Sequence, residues 1–558
     1  METLWLYQIL SVAQVGGANL DSTFNTSQHV LANTSYGTLR GVADFNNSTG
    51  GVIKFLGVPF AKPPTGSRRF KRPEAPDRWS GERSALQAGP WCPQALDPKV
   101  IGLIKLDEDC LTLNVYTPRS SSYPLPVMVW IHGGAFYRGS GSLFNGEELA
   151  QRGVVLVTFN YRLDVFGFLS TEDDILPGNY GLLDQILALE WVKRNIAAFG
   201  GDPNRVTVFG ESAGGSSVSL LLLSPLASGL FQKAIIESGS ALAPWSITYP
   251  TSQLSLNGIS RLTGEKVNCR QINSVDFLAC VQAANATDLL SASTQLRLST
   301  KLDVIYIPRV ETVFGVVPAR PSQLLTSGQF TKVDTIRGYN THEALFLLVN
   351  TSSITRPEFR QKISRVISPF KLSDMDAILS QFEEVYLANV SDGDLIIRHA
   401  LSAISDYAFI APIVLETKLA AAAAPSNKNY LYEFQYKRSV SATPAWIQAV
   451  HGDEVPFVFD SFSNPLLWPV DQGHTREDED VSDEIIQLWT NFAKTGAPTD
   501  DVSLNALSWK PFTATQENLL IINKSLTAST SQKNSAVELY KKILQLIDKQ
   551  TIPDVIVG

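Results

Sequence analysis

Hydrophobic and polar positions along the chain fall into two regimes. Over residues 125–240, short unbroken apolar runs alternate with longer segments of helical period. "LPVMVWIHGG" (125–134) and "GVVLVTFNYR" (153–162) are rich in Val and Ile and lack strict alternation. That is the pattern of strands covered on both faces in a parallel sheet. Segment 179–202 follows, with Leu183, Ile186, Leu187, Leu189 and Trp191 near helical spacing and Gly200-Gly201 as a stop. "VTVFGESAGGSSV" (206–218) then reads as strand, tight turn and a helix from Ala213 through Leu223, and 231–240 as the next strand. Alternation of this kind predicts a mostly parallel sheet flanked by helices.

The second regime, about 250–330 and 355–425, is more helical and less regular. Segments 357–367, 374–390 and 401–424 are predicted helices. A strand returns at 428–436, and helices at 481–496 and 536–550 close the chain. Residues 34–60 read as short strands. The expected organisation is one α/β domain over residues 19–558, with a helical insertion as its cap.

Composition narrows the class. The chain has 558 residues, 44% apolar and 18% charged, which suits a large core rather than disorder. Net charge is −8, and no Lys/Arg cluster marks a nucleic-acid footprint. No uncharged apolar run reaches the roughly eighteen residues of a membrane span. Residues 1–18 read as a secretory signal peptide: Leu4 to Ala18 is apolar, with small residues at Ser11-Val12-Ala13 and Gly16-Gly17-Ala18. Asn-X-Ser/Thr sequons at Asn25, Asn33, Asn46, Asn47, Asn285, Asn350, Asn389 and Asn523 fit a secreted, extracellular glycoprotein. Four cysteines allow three pairings. The short loops Cys92–Cys110 and Cys269–Cys280 are the natural choice in an oxidising compartment.

The chemistry centres on Gly210-Glu-Ser-Ala-Gly214, the single G-x-S-x-G of the chain. With a strand before and a helix after, this is the nucleophile-elbow pattern, which exposes a serine hydroxyl on a strained turn. A serine needs a base, and there are six histidines: His29, His132, His342, His399, His451 and His474. Hydrolases of this architecture order the triad Ser, acid, His. His29 and His132 precede the serine, His342 leaves little chain for an acid, His399 lies in a helical stretch, and His474 sits in the charged "HTREDED". His451 follows the late strand and opens a glycine-containing loop, and is the best placed. Gly133-Gly134-Ala135, after the strand at 125–134, offers backbone N–H groups that with Ala213 could bind an oxyanion.

These motifs bring a family with them. "GVIKFLGVPFAKPPTGSRRFKRPEAP", "LDEDCLTLNVYTP", "VWIHGGAF", "NYRLDVFGFLS", the stretch 179–215, "FQKAIIESGS" and "WTNFAKTGAP" together resemble the type-B carboxylesterase/lipase family over nearly all of 34–515. Its members, cholinesterases included, have the α/β-hydrolase fold. The resemblance implies a Ser212–His451–Glu343 triad, since "IRGYNTHEALFLL" puts Glu343 where the family has its acid. It implies oxyanion donors at Gly134, Ala135 and Ala213, with alanine at the more familiar third glycine. Arg69 with Glu108 and Arg162 with Asp184 match the family's salt bridges, and the two cysteine pairs its disulfides. Trp245 matches a position beside the acyl pocket.

Specificity is expected to depart from two relatives. The loop between Cys92 and Cys110 has no aromatic residue to face a choline cation, and it is shorter than the lid of similar lipases. Its apolar stripe Val100, Ile101, Leu103, Ile104 and Leu106 makes a small lid at best, and is expected to pack on the core. The expectation is therefore a carboxylesterase for soluble, short- to medium-chain esters, needing no cofactor and no metal. The alternatives are a triacylglycerol or sterol-ester lipase, and a non-catalytic binding protein on the same fold, like the family's adhesion relatives. The latter typically lose the nucleophile or a partner, whereas all three residues are present here.

Overall fold

Strands from the whole length of the chain form a single sheet of thirteen among the described residues. In chain order they are β1 (Gln28–Asn33), β2 (Thr38–Asp44), β3 (Val52–Pro59), β4 (Glu82–Ser84), β5 (Thr112–Pro118), β6 (Leu125–Ile131), β7 (Val155–Phe159), β8 (Gly201–Glu211), β9 (Lys233–Glu237), β10 (Asp334–Asn340), β11 (Asn429–Phe434), β12 (Asn518–Ile522) and β13 (Leu526–Thr530). Their lateral order is β1-β2-β3-β5-β7-β6-β8-β9-β10-β11-β12-β13, with β4 paired to β2. From β7 to β12 every pairing is parallel; the remaining path at both margins is antiparallel. The structure, a computed structural model, describes residues 28–44, 51–96, 104–119, 124–300, 302, 304–348, 352–438, 440–462, 473–499 and 507–553.

The central strands show why alternation is missing from the sequence. All of Leu125–Ile131 is buried. Val127, Val129 and Ile131 enter the core on one face, and Met128 and Trp130 the core on the other. Both faces are covered, so both select apolar side chains. Helices Tyr180–Asn195 and Ala213–Leu223 pack on the first face. Helix Arg476–Thr495 covers the second with Val481, Ile485, Leu488, Trp489 and Phe492.

Boundaries differ from expectation for identifiable reasons. The helix expected over 179–202 ends at Asn195 and continues as a tighter turn to Phe199. Gly200 then takes φ 82°, and Gly201 already belongs to β8. The helix expected from 481 starts at Arg476, because Thr475 and Asp478 form a reciprocal capping box. The β12–β13 hairpin was not anticipated: Leu526–Thr530 is half exposed and rich in small polar residues. The helix expected over 401–424 begins at Gly393. It runs to Ala423 through a wider π-turn at Asp406–Ile410. This helix is long and apolar enough to cross a membrane, and 94% of its apolar window is buried inside the protein.

Cap helices Leu256–Lys266, Ser274–Ala283, Ala286–Thr300, Arg356–Ile367 and Met375–Leu387 join the first core through Ile259, Phe277, Leu289, Phe359 and Phe382 respectively. Both expected disulfides are formed, Cys92–Cys110 and Cys269–Cys280. Arg162 and Asp184 make a buried ion pair at 2.7 Å. Arg69 pairs with Glu108 at 2.5 Å and also donates to the carbonyls of Val281, Gln282 and Ala284.

Candidate active site

β8 delivers Ser212 at the middle of the sheet, with β6 on one side and β9 on the other. Ser212 has φ 57° and ψ −121°, outside the ordinary wells of a non-glycine residue. The strain is held in place: its N–H donates to the Glu237 carbonyl at 2.9 Å, and its carbonyl accepts the first helical N–H, from Ser216, at 2.8 Å. The flanking glycines have a steric reason. A methyl on Gly214 would sit 2.0 Å from the Ile131 carbonyl oxygen, and one on Gly210 would sit 2.5 Å from the same atom. Strand, turn and helix pass too closely for any side chain.

The histidine and acid arrive from separate strands. β10 ends at Asn340, and Glu343 follows in a short turn; His451 lies in the loop after β11. His451 Nε2 is 2.8 Å from Ser212 Oγ, and Nδ1 is 2.6 Å from Glu343 Oε2. The other Glu343 oxygen accepts from Asn340 N–H at 2.7 Å and Ser238 Oγ at 2.6 Å. Glu343 is wholly buried. Since a carboxylate only accepts, Nδ1 carries the imidazole hydrogen and Nε2 is left as acceptor for the serine proton.

Among the other histidines, His132 is buried behind the Gly133–Gly134 loop, its Nδ1–H donating to the Gly133 carbonyl at 2.8 Å. Burial pushes its pKa down to about 4, so it is neutral. His342 accepts from Gln448 N–H through Nδ1, and His474 pairs with Glu479.

The loop of the expected oxyanion donors turns sharply over the elbow. Gly134, Ala135 and Phe136 have φ of 106°, 52° and 61°. A methyl on Gly133 would lie 3.1 Å from Ser212 Cβ. Ala213 opens its helix, where a backbone N–H has no intrahelical acceptor.

Sequence reasoning missed the groups that surround this chain. Glu211 Oε1 is 3.2 Å from His451 Nε2. Burial pushes the Glu211 carboxyl up to about 7, with His451 opposing and Glu343 adding. Burial lowers the His451 pKa, but Glu211 and Glu343 outweigh it and the net shift is upward. Glu454, bonded to Asn340, is raised well above a normal carboxylate by burial and then by Glu211 and Glu343. A charged residue inside an otherwise small, apolar pivot was the available signal for Glu211.

One wall is aromatic. Phe409 lies 4.6 Å from the His451 ring and 5.3 Å from Trp245, and Phe346 lies 5.7 Å from His451. Of the Cys92–Cys110 loop, Val100, Ile101 and Leu103 lie outside the described residues. Leu106 is in an extended bridge to Trp91 rather than in a helical stripe. Sequons Asn33, Asn285 and Asn389 are exposed and Asn523 is half buried, while Asn25, Asn46, Asn47 and Asn350 fall outside the described residues.

A mostly parallel sheet with a strained strand–serine–helix pivot is an α/β-hydrolase architecture. The carboxylesterase family model matches residues 28–540, and the chain belongs to that family. It is 36% identical over 519 residues to human cocaine esterase, covering 88% of each chain. It is 35% identical over 499 residues to mouse acylcarnitine hydrolase, covering 84% of each. It is also 35% identical over 530 residues to mouse neuroligin-2, covering 85% of this chain and 61% of that protein. The chain thus spans about three fifths of the length of the neuroligins it matches.

Proposed function

We propose that the protein is a serine carboxylic ester hydrolase acting through an acyl-enzyme. The supporting observation is the continuous hydrogen-bonded path Ser212–His451–Glu343, at 2.8 and 2.6 Å. Ser212 Oγ attacks the ester carbonyl carbon as Nε2 takes its proton. Glu343 holds the tautomer and stabilises the imidazolium. Negative charge collects on the carbonyl oxygen, where the N–H groups of Gly134, Ala135 and Ala213 serve as donors, each worth about 3 kcal/mol in comparable sites. The intermediate collapses, the alcohol leaves with the proton from Nε2, and a water repeats the sequence to release the acid.

The substrate class is soluble esters with short to medium acyl chains. Phe409 beside His451, with Trp245 packed against Phe409, supports this against a lipase. A single domain over 19–558, released from a signal peptide at 1–18 and glycosylated at exposed Asn33, Asn285 and Asn389, completes the reading. Two disulfides favour an extracellular site. A binding role on the same fold is the second reading, favoured by neuroligin relatives at the same identity as the hydrolases.

The test is a fluorophosphonate probe with Ser212→Ala as control. Stoichiometric labelling of the wild type, lost in the variant along with p-nitrophenyl butyrate hydrolysis, is the expected result. An unlabelled, inactive, folded wild type would leave the binding role instead.

A further inference from the structure

Immediately after the expected oxyanion donors the chain folds back on itself. The N–H groups of Tyr137 and Arg138 both donate to the Gly134 carbonyl, at 3.1 Å. Phe136 turns into the core, while Tyr137 and Arg138 stay half-buried. Arg138 lies against the loop itself: its Cγ is 3.0 Å from where a methyl on Gly134 would stand. Its charge also reaches the groups around the base. Burial raises the Glu211 carboxyl, and His451 and Arg138 pull it back down. Glu211 in turn is 3.2 Å from His451 Nε2, the atom that hands its proton to the departing alcohol. Arg138 therefore stands on the leaving-group side of the site.

A second cation comes from the cap. Arg297 is half-buried on helix Ala286–Thr300, and its guanidinium carbon is 3.9 Å from the centre of the Tyr137 ring. The Arg138 guanidinium carbon is 5.3 Å from the same ring. The helix that carries Arg297 is pinned in place. Leu289 and Leu296 enter the core, and Ser293 Oγ donates to buried Asp164 at 2.7 Å. The Asp164 charge acts on Arg297, yet among the described residues Arg297 enters no ion pair. Stacking through its flat face leaves the N–H edge of a guanidinium to present a fork that fits a carboxylate. Two like charges gathered on one ring also repel, and an anion bound to both relieves that repulsion.

We propose that Arg297 and Arg138, gathered on Tyr137, form a carboxylate-binding subsite for the alcohol part of the substrate: the enzyme prefers esters whose leaving alcohol carries a carboxylate group. This rests on the esterase reading above and adds to it the alcohol side of the substrate.

The experiment measures kcat/KM for p-butyryloxybenzoate and its methyl ester, followed by release of the phenol, in wild type, Arg297→Gln and Arg297→Lys. The two esters share an acyl group and differ in the charge on the leaving phenol. Active sites are titrated with a fluorophosphonate, so that a partly folded preparation changes amplitude and not the ratio of the two rates. The charged-to-neutral ratio is expected to fall about tenfold in Arg297→Gln, the scale of a lost hydrogen bond to a charged group. A smaller fall, about threefold, is expected in Arg297→Lys, which keeps the charge without the fork. In the wild type the ratio should also drop as NaCl rises from about 0.01 to 1 M, because screening shortens the reach of the two cations. A ratio within about twofold of wild type in Arg297→Gln overturns the proposal, as does a wild-type ratio that ignores salt, and either leaves ester hydrolysis intact. A wild type inert towards both esters fails the esterase reading itself, and the subsite with it.

Discussion

Replacing Glu343 by glutamine tests the site at its least replaceable atom. Glu343 Oε1 accepts from a backbone N–H, that of Asn340, at 2.7 Å, and from Ser238 Oγ at 2.6 Å. A backbone N–H cannot reverse its role, so the amide oxygen must occupy that position. The amide NH2 then lands 2.6 Å from His451 Nδ1, where the carboxylate now accepts. Nδ1 must become the acceptor, the imidazole hydrogen moves to Nε2, and the base loses the lone pair that takes the serine proton. In serine-protease triads the same change of tautomer lowers turnover by about 10⁴-fold, equivalent to about 5.5 kcal/mol of barrier. Because size and two of the three hydrogen bonds are kept, the thermal midpoint is expected to move little. The assay is kcat/KM for p-nitrophenyl butyrate at pH 8, beside differential scanning fluorimetry. A Glu343→Gln protein that folds normally and stays within about tenfold of wild type would refute both the role of the acid and the tautomer argument.

Further outcomes follow from the same geometry. The His451 pKa is raised from the ordinary 6.5, and a protonated imidazole cannot accept the serine proton, so kcat/KM should fall as pH drops through a value above 6.5; a flat profile from pH 5 to about 8 is inconsistent with this base. Glu211→Gln removes a carboxylate that favours the imidazolium, so the acid limb of that profile should move to lower pH; an unmoved limb means the 3.2 Å contact carries no charge interaction. Gly214→Ala places a methyl 2.0 Å from the Ile131 carbonyl oxygen, and should lower the thermal midpoint by about 1–3 °C, for about 1–3 kcal/mol of overpacking in a chain of this size; an unchanged midpoint would mean the elbow has slack. Rate against tributyrin concentration should pass its solubility limit smoothly, since interfacial activation needs a lid whose opening exposes a large apolar patch; a jump at saturation restores the lipase alternative.

Much of the site could be read from local chemistry. Ser212 announces itself because Gly210 and Gly214 are required by contact with the Ile131 carbonyl, a constraint visible as a motif. His451 is legible from chain order and its glycine neighbour. Glu343 was not available from the residues themselves, because what defines it is the turn after β10, and only the family resemblance located that. Ser238, Glu211 and Glu454 stayed hidden for a different reason. In a sequence a buried carboxylate looks like a surface one, and its meaning comes from partners more than 200 residues away, as in the Glu211–His451 and Ser238–Glu454 contacts. The π-turn was equally invisible: Pro412 reads as a helix breaker, yet Trp245 takes the place of its missing donor.

Arg69 joins two crosslinked loops that are distant in sequence. One side of its guanidinium binds Glu108, two residues before Cys110. The other binds the carbonyls of Val281, Gln282 and Ala284, just past Cys280. Five donors in a fixed fork make this possible, and a lysine could not reproduce it. The two covalent bridges are therefore energetically linked through a noncovalent one. Opening either loop loosens the hold on Arg69 and so weakens the support of the other. In a reductant titration the bridges would yield in one cooperative step rather than two, and an Arg69→Lys protein would separate them.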